Sequence, residues 1–113
     1  MRDYKKIKAW QTAHELVKAT YKATEKYPKM EQFGLTSQLR RAIVSVPANI
    51  AEGAVRKTKK EYLQFLYIAL GSFELEYIDK NKHEHLDEMQ SKAAATLYKL
   101  ISVVNTEINN ERK

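Results

Sequence analysis

The chain is 113 residues long, 30% charged, with a net charge of +6 and no cysteine. That length suits one domain with its own core, so residues 1–113 are read as a single unit. The absence of thiols excludes disulfide staples, thiolate metal sites and thiol redox catalysis.

Three glycines and two prolines leave little turn material, which favours a few long helices over many short strands. The opening MRDYKKIKAW is charged and lacks the apolar stretch of a secretory signal. No apolar run nears the roughly 20 residues of a membrane span. A cytoplasmic protein without membrane contact is expected. Charge is unevenly placed: residues 1–60 carry 14 Lys/Arg against 5 Asp/Glu, and residues 61–113 carry 6 against 9. A basic half suggests a field aimed at an anion; the other reading is that the two halves neutralise each other within an oligomer.

Residues 1–7 form a short lead whose Tyr4 and Ile7 can tuck against the body. A first helix is expected over about 8–27, with Trp10, Ala13, Leu16, Val17, Thr20, Tyr21 and Thr24 on its inner face and Pro28 stopping it. Lys18, Lys22 and Lys26 line one outer side, and a solvated helix face accounts for them. His14 borders the apolar face as a packing residue. After a connection carrying Phe33 and Gly34, a second helix spans about 35–54. Its apolar positions Leu35, Leu39, Ala42, Ile43, Val46, Ile50 and Ala54 share one face. The stripe stays in phase across Pro47, so the helix should continue through the proline with a kink. Gly53 suits a C-terminal cap.

Thr58 and Glu61 read as a capping box opening a third helix over about 59–78, with Tyr62, Phe65, Leu66, Ala69, Leu70 and Phe73 in a wide apolar stripe. A glycine inside that helix, Gly71, costs roughly 1 kcal/mol against alanine. Beside Ser72 it suggests close approach of a neighbouring helix, of this chain or across a subunit interface. A polar loop leads to a fourth helix over about 84–109, with Leu86, Met89, Ala93, Leu97, Leu100, Val104 and Ile108 near a heptad seam. His83, Glu84 and His85 have the look of a metal dyad, but without a third and fourth ligand they are poor grounds for zinc. No metal or other cofactor is implied. Four helices with short connections define an all-α fold, an antiparallel up-down-up-down four-helix bundle. Its wide stripes leave apolar surface that self-association would cover.

Two groups of polar residues invite functional readings. Arg56, Lys57, Lys59 and Lys60 crowd the turn between helices two and three, and Arg40 and Arg41 lie on the helix leading there. Several cations at close spacing suit a phosphate backbone; the alternative is a solvated turn with ordinary surface charge. The line Gln38, Arg41, Ser45, Asn49, Glu52 keeps helical spacing on a polar face. With no nucleophile, metal ligands or oxyanion device beside Glu52, it reads as a structural network and not as a catalytic one. Asn49 and Glu52 would satisfy backbone groups freed at Pro47, and Arg41 would pair with a carboxylate.

The segments Trp10–Ala13, Phe33–Thr36, Gln38–Ala42, Pro47–Gly53 and Gly71–Ser72, in that order, resemble the 23S rRNA intervening-sequence protein family of bacterial four-helix-bundle proteins. The likeness covers about Tyr4 to Glu76. It implies an antiparallel bundle that assembles as a homopentamer, is not an enzyme and binds RNA. A related group, the accessory proteins of diversity-generating retroelements, implies an alternative: a basic scaffold that binds a reverse transcriptase with its RNA, or an acidic partner protein. One departure stands out, because only Phe73 separates Ser72 from Glu74–Leu75–Glu76 where the family pattern has two residues. Losing one residue from a helix rotates all later side chains by about 100° around its axis.

Overall fold

The computed structural model describes residues 2–25, 34–74 and 84–112. A 3-10 turn at Tyr4–Lys6 precedes four α-helices: α1 (Lys8–Thr24), α2 (Leu35–Ala54), α3 (Lys59–Glu74) and α4 (Glu84–Glu111). Each helix packs on its chain neighbours and α1 also packs on α4, with no diagonal pairing among the described residues. That is a square antiparallel bundle, drawn out to 55 Å along one axis. The expected ends of α1 at residues 26–27 and of α3 at 75–78 lie outside the described residues, as do Pro28, Phe33 and His83.

α2 is the apolar centre. Leu39, Ala42, Ile43, Val46, Ile50 and Ala54 are all buried, and the helix runs unbroken through a buried Pro47. Pro47 has no N–H to offer the Ile43 carbonyl, a local cost outweighed by the side chains the helix buries on both sides of it. Leu16, Ile43, Ile50, Leu66 and Leu97 are fully enclosed, each stabilising the fold by about 1.5–3 kcal/mol relative to exposure. The N-cap half of the capping box is present: Thr58 Oγ1 accepts from the Glu61 N–H at 3.1 Å, while Glu61 Oε1 accepts from the Thr58 hydroxyl at 2.9 Å in place of the Thr58 N–H.

Several expectations are corrected. Gly53 does not cap α2: it is helical, Val55 holds the C-cap, and no described residue has positive φ. Its role is contact, since an added Cβ would lie 2.8 Å from Phe65 Cβ and 3.2 Å from the Tyr62 carbonyl oxygen. Gly71 has nothing of its own chain within 4 Å of an added Cβ, which leaves a neighbour across a subunit interface as the remaining form of the expected close approach. Tyr21 is not an inner residue but 40% exposed; the inner face of α1 is instead Ala9, Ala13, Leu16, Thr20 and Thr24. On α4 the expected Ala93, Leu97, Val104 and Ile108 are buried, but between them Ile101 is buried in place of Leu100, which is only half-buried.

Candidate nucleic-acid interface

The antiparallel path brings the starts of α1 and α3 and the finishes of α2 and α4 to one end of the bundle. The basic turn lies there. Two of its four cations are committed within the chain. Arg56 pairs with Glu52 one turn earlier on α2, and its guanidinium lies 4.9 Å from the Phe65 ring centre. Lys59 Nζ donates to Glu111 Oε1 at 2.6 Å and lies 3.6 Å from Glu107 Oε2, tying α3 to the last turn of α4. The bond to Glu111 raises the Lys59 pKa, with desolvation acting the other way. Lys57 and Lys60 are exposed, and their side chains have no partner among the described residues.

Arg40 and Arg41 do not join this group. They sit thirteen or more residues before the end of α2, roughly 20 Å away at 1.5 Å per residue. Arg40 is a brace between helices: Nε donates to Thr24 Oγ1 at 2.9 Å, one terminal nitrogen donates to the Tyr21 carbonyl at 3.4 Å, and the guanidinium lies over the Tyr21 ring at 4.5 Å. It thereby neutralises carbonyls in the last turn of α1, where the helix dipole is negative. Arg41 is exposed and makes no carboxylate pair among the described residues.

The polar line of α2 divides. Asn49 Nδ2 donates to the Ser45 carbonyl at 2.7 Å and to Ser45 Oγ at 2.9 Å, and Ser72 Oγ of α3 donates to Ser45 Oγ at 2.9 Å. Ser45 and Asn49 thus form a hydroxyl–amide seam between α2 and α3. Glu52 serves Arg56 instead of the backbone near Pro47, and Gln38 is exposed without a side-chain partner among the described residues.

The residue that sequence reasoning missed at this end is Arg2. Its terminal nitrogen donates to the Ala54 carbonyl at 3.3 Å and the Arg56 carbonyl at 3.2 Å, and its guanidinium lies 4.4 Å from the Tyr62 ring centre. No periodicity signals a contact across more than fifty residues; only the run of basic residues in the lead hinted at it. The lead itself is structured. Asp3 accepts from the Lys5 N–H at 3.1 Å, and Gln11 Nε2 donates to the Lys5 carbonyl at 2.9 Å. The five side-chain carboxylates of this end among the described residues, Asp3, Glu52, Glu61, Glu107 and Glu111, therefore each have a partner. Lys5, Lys6, Lys8, Lys57, Lys60 and Arg112 form no side-chain bond among the described residues.

A second surface feature is apolar. Between α1 and α2 an open groove of about 480 Å³ is lined by Tyr4, Trp10, His14, Val17, Val44, Pro47, Ala48, Ala51, Glu52 and Val55. Trp10 stacks on His14, ring centres 4.8 Å apart, and meets Tyr4 edge-on at 5.1 Å. On the far side α3 and α4 expose Tyr67 and Tyr98, with Ile68 and Val103 nearby on the same helices.

The architecture and this basic end define a helical-bundle protein with a cation-rich tip and uncovered apolar sides. The model of the 23S rRNA-intervening sequence protein family matches residues 5–102, and the chain belongs to that family. No curated protein matches it. Among the described residues, no helix is long and apolar enough to cross a membrane.

Proposed function

We propose that this protein is a non-enzymatic, cytoplasmic RNA-binding module whose basic tip holds phosphate groups of structured RNA. What supports the reading most is the imbalance at the tip, where, among the described residues, every side-chain carboxylate has a partner and Lys57 and Lys60 at the start of α3 have none. Phosphates would meet cations that need not first abandon an internal partner. The rRNA-related family agrees with that ligand class. Contacts of this kind position a backbone without reading bases, so binding should be tolerant of sequence. Arg40 and Arg56 are assigned to holding the bundle, and Arg41 lies too far along α2 to share one contact with the tip.

The protein is further proposed to work as a homo-oligomer, a pentamer by family resemblance. The apolar groove of α1–α2 and the exposed Tyr67, Ile68 and Tyr98 on the α3–α4 side are surfaces that such assembly would cover. A single mass for the lone chain by light scattering would overturn this part.

The test of the ligand is binding of a structured RNA over a salt series, for wild type and for a Lys57→Ala, Lys60→Ala variant. Affinity should fall steeply with salt, and the variant should bind more weakly with a shallower dependence. Salt-independent binding, or equal behaviour of the variant, would refute the RNA reading. It would favour a scaffold for an acidic protein partner, the role implied by the likeness to retroelement accessory proteins.

A further inference from the structure

The N-terminal lead lies fifty residues from the α2–α3 turn in sequence, yet Arg2 bonds it directly to that turn. The same guanidinium performs two tasks. It caps the carbonyl of Ala54 at the end of α2, and through the Arg56 carbonyl it fixes the path of the turn that carries Lys57. Its flat face on the buried Tyr62 prevents the side chain from swinging freely. Behind Arg2, the Asp3 cap and the Gln11 bond to the Lys5 carbonyl hold the 3-10 turn against the first turn of α1. Lys5 and Lys6 lie three and four residues from this anchor, both exposed and unbonded among the described residues.

Building on the RNA reading above, we propose that the lead is half of the phosphate-binding site: Lys5 and Lys6 bind the RNA backbone together with Lys57 and Lys60, and Arg2 is the positioning residue that latches the two halves together. The physical reason is entropic as much as electrostatic. Lysines on a loose terminal segment must be ordered at the moment of binding, which weakens their contribution. Lysines on a latched segment meet the ligand already in place. Arg2 itself is spent on two carbonyls and a ring, so its effect on the ligand passes through the lysines it positions.

The prediction concerns the slope of log affinity against log salt. Each phosphate contact contributes about 0.7–0.9 to that slope, so removing two cations should make it shallower by about 1.4–1.8. Wild type, Lys5→Ala/Lys6→Ala, Arg2→Ala and the triple variant would be compared by fluorescence anisotropy with one labelled structured RNA. Melting temperatures of all four proteins are taken alongside. The double variant should show the shallower slope at an unchanged melting temperature. Arg2→Ala should produce a similar loss, and adding it to the double variant should bring less than that full loss, because Lys5 and Lys6 are no longer there to be positioned and only the turn that carries Lys57 is affected. If wild type shows no salt-dependent RNA binding, the underlying reading and this inference fall together. If wild type binds with a steep slope that the double variant retains, the lead is no part of the site and this inference alone is overturned. Losses from Arg2→Ala and the double variant that simply add would overturn the latch and leave Arg2 as another contact.

Discussion

Substituting alanine for the two glycines inside helices should move stability in opposite directions. At Gly53 the new methyl group would sit 2.8 Å from Phe65 Cβ, 3.0 Å from Tyr62 Cδ1 and 3.2 Å from the Tyr62 carbonyl oxygen. None of these is the free end of a flexible side chain: the first is bonded to the backbone of α3 and the last belongs to it. Relief requires α2 and α3 to separate by several tenths of an ångström along their shared seam. Overpacking of this kind costs about 1–3 kcal/mol, against which alanine gains about 1 kcal/mol in helix propensity. The net expectation for Gly53→Ala is a loss of up to about 2 kcal/mol, or a melting temperature lower by up to roughly 8 °C at about 4 °C per kcal/mol. At Gly71 nothing lies within 4 Å, so only the propensity gain remains and Gly71→Ala should raise the melting temperature by about 4 °C. Urea and thermal unfolding of both variants, at a concentration where wild type keeps a constant mass, would check the pair. A Gly53→Ala protein stabilised by as much as Gly71→Ala would refute the close-contact argument. A destabilised Gly71→Ala protein would show that another chain presses on that face of α3.

Three further expectations concern single side chains. Arg40→Ala should cost about 1–2 kcal/mol through its lost bonds to Thr24 and the Tyr21 carbonyl and its place over the Tyr21 ring, while leaving the salt dependence of RNA binding unchanged; urea titration and anisotropy read the two effects separately. Thr58→Ala should lower stability by about 1 kcal/mol, because the Glu61 N–H at the start of α3 loses its acceptor, a loss seen in the urea midpoint. Burial raises the Tyr62 phenol above its usual value; the folded protein therefore keeps a proton that the unfolded chain releases, and stability should be full below pH ~10 and decline as pH rises beyond it. Lys59, raised by its bond to Glu111, acts with the same sign, and Tyr62→Phe should flatten the decline measured by urea unfolding between pH 9 and 11.

How far the structure was legible depended on whether a feature is local. α2 was readable because its buried residues, from Leu39 to Ala54, recur every three or four positions and nothing else competes for that face. The Thr58–Glu61 box was readable because all its partners lie within one turn. Gly53 was misread for a related reason: a glycine near a helix end looks the same in sequence whether it caps the helix or admits a neighbour, and the neighbour here is supplied by α3. On α1, apolar weight pointed to Tyr21, whereas the bundle accepts small residues on that side and turns the tyrosine out under Arg40. The site was half legible. Charge density in sequence located the turn, but the commitment of Arg56 and Lys59 to carboxylates, and the return of Arg2 to the turn, depend on which helix ends meet.

The seams of the bundle are not equal. α2 and α3 are joined by a short turn at residues 55–58, a glycine contact and a linked pair of serines, all of which form between residues close in the chain. α1 brings mostly alanine and threonine to its inner face, and a bond of 2.8 Å between the Thr12 and Thr96 hydroxyls joins it to a helix far along the chain. Contacts near in sequence close quickly and those far apart close late. The hairpin of α2 and α3 is thus the natural first structure, with α1 docking afterwards although the ribosome makes it first. Backbone amides of α1 should accordingly exchange with deuterium before those of α2. The lead fastened to α1 would loosen with it, whereas the α2–α3 turn that carries Lys57 would keep its shape.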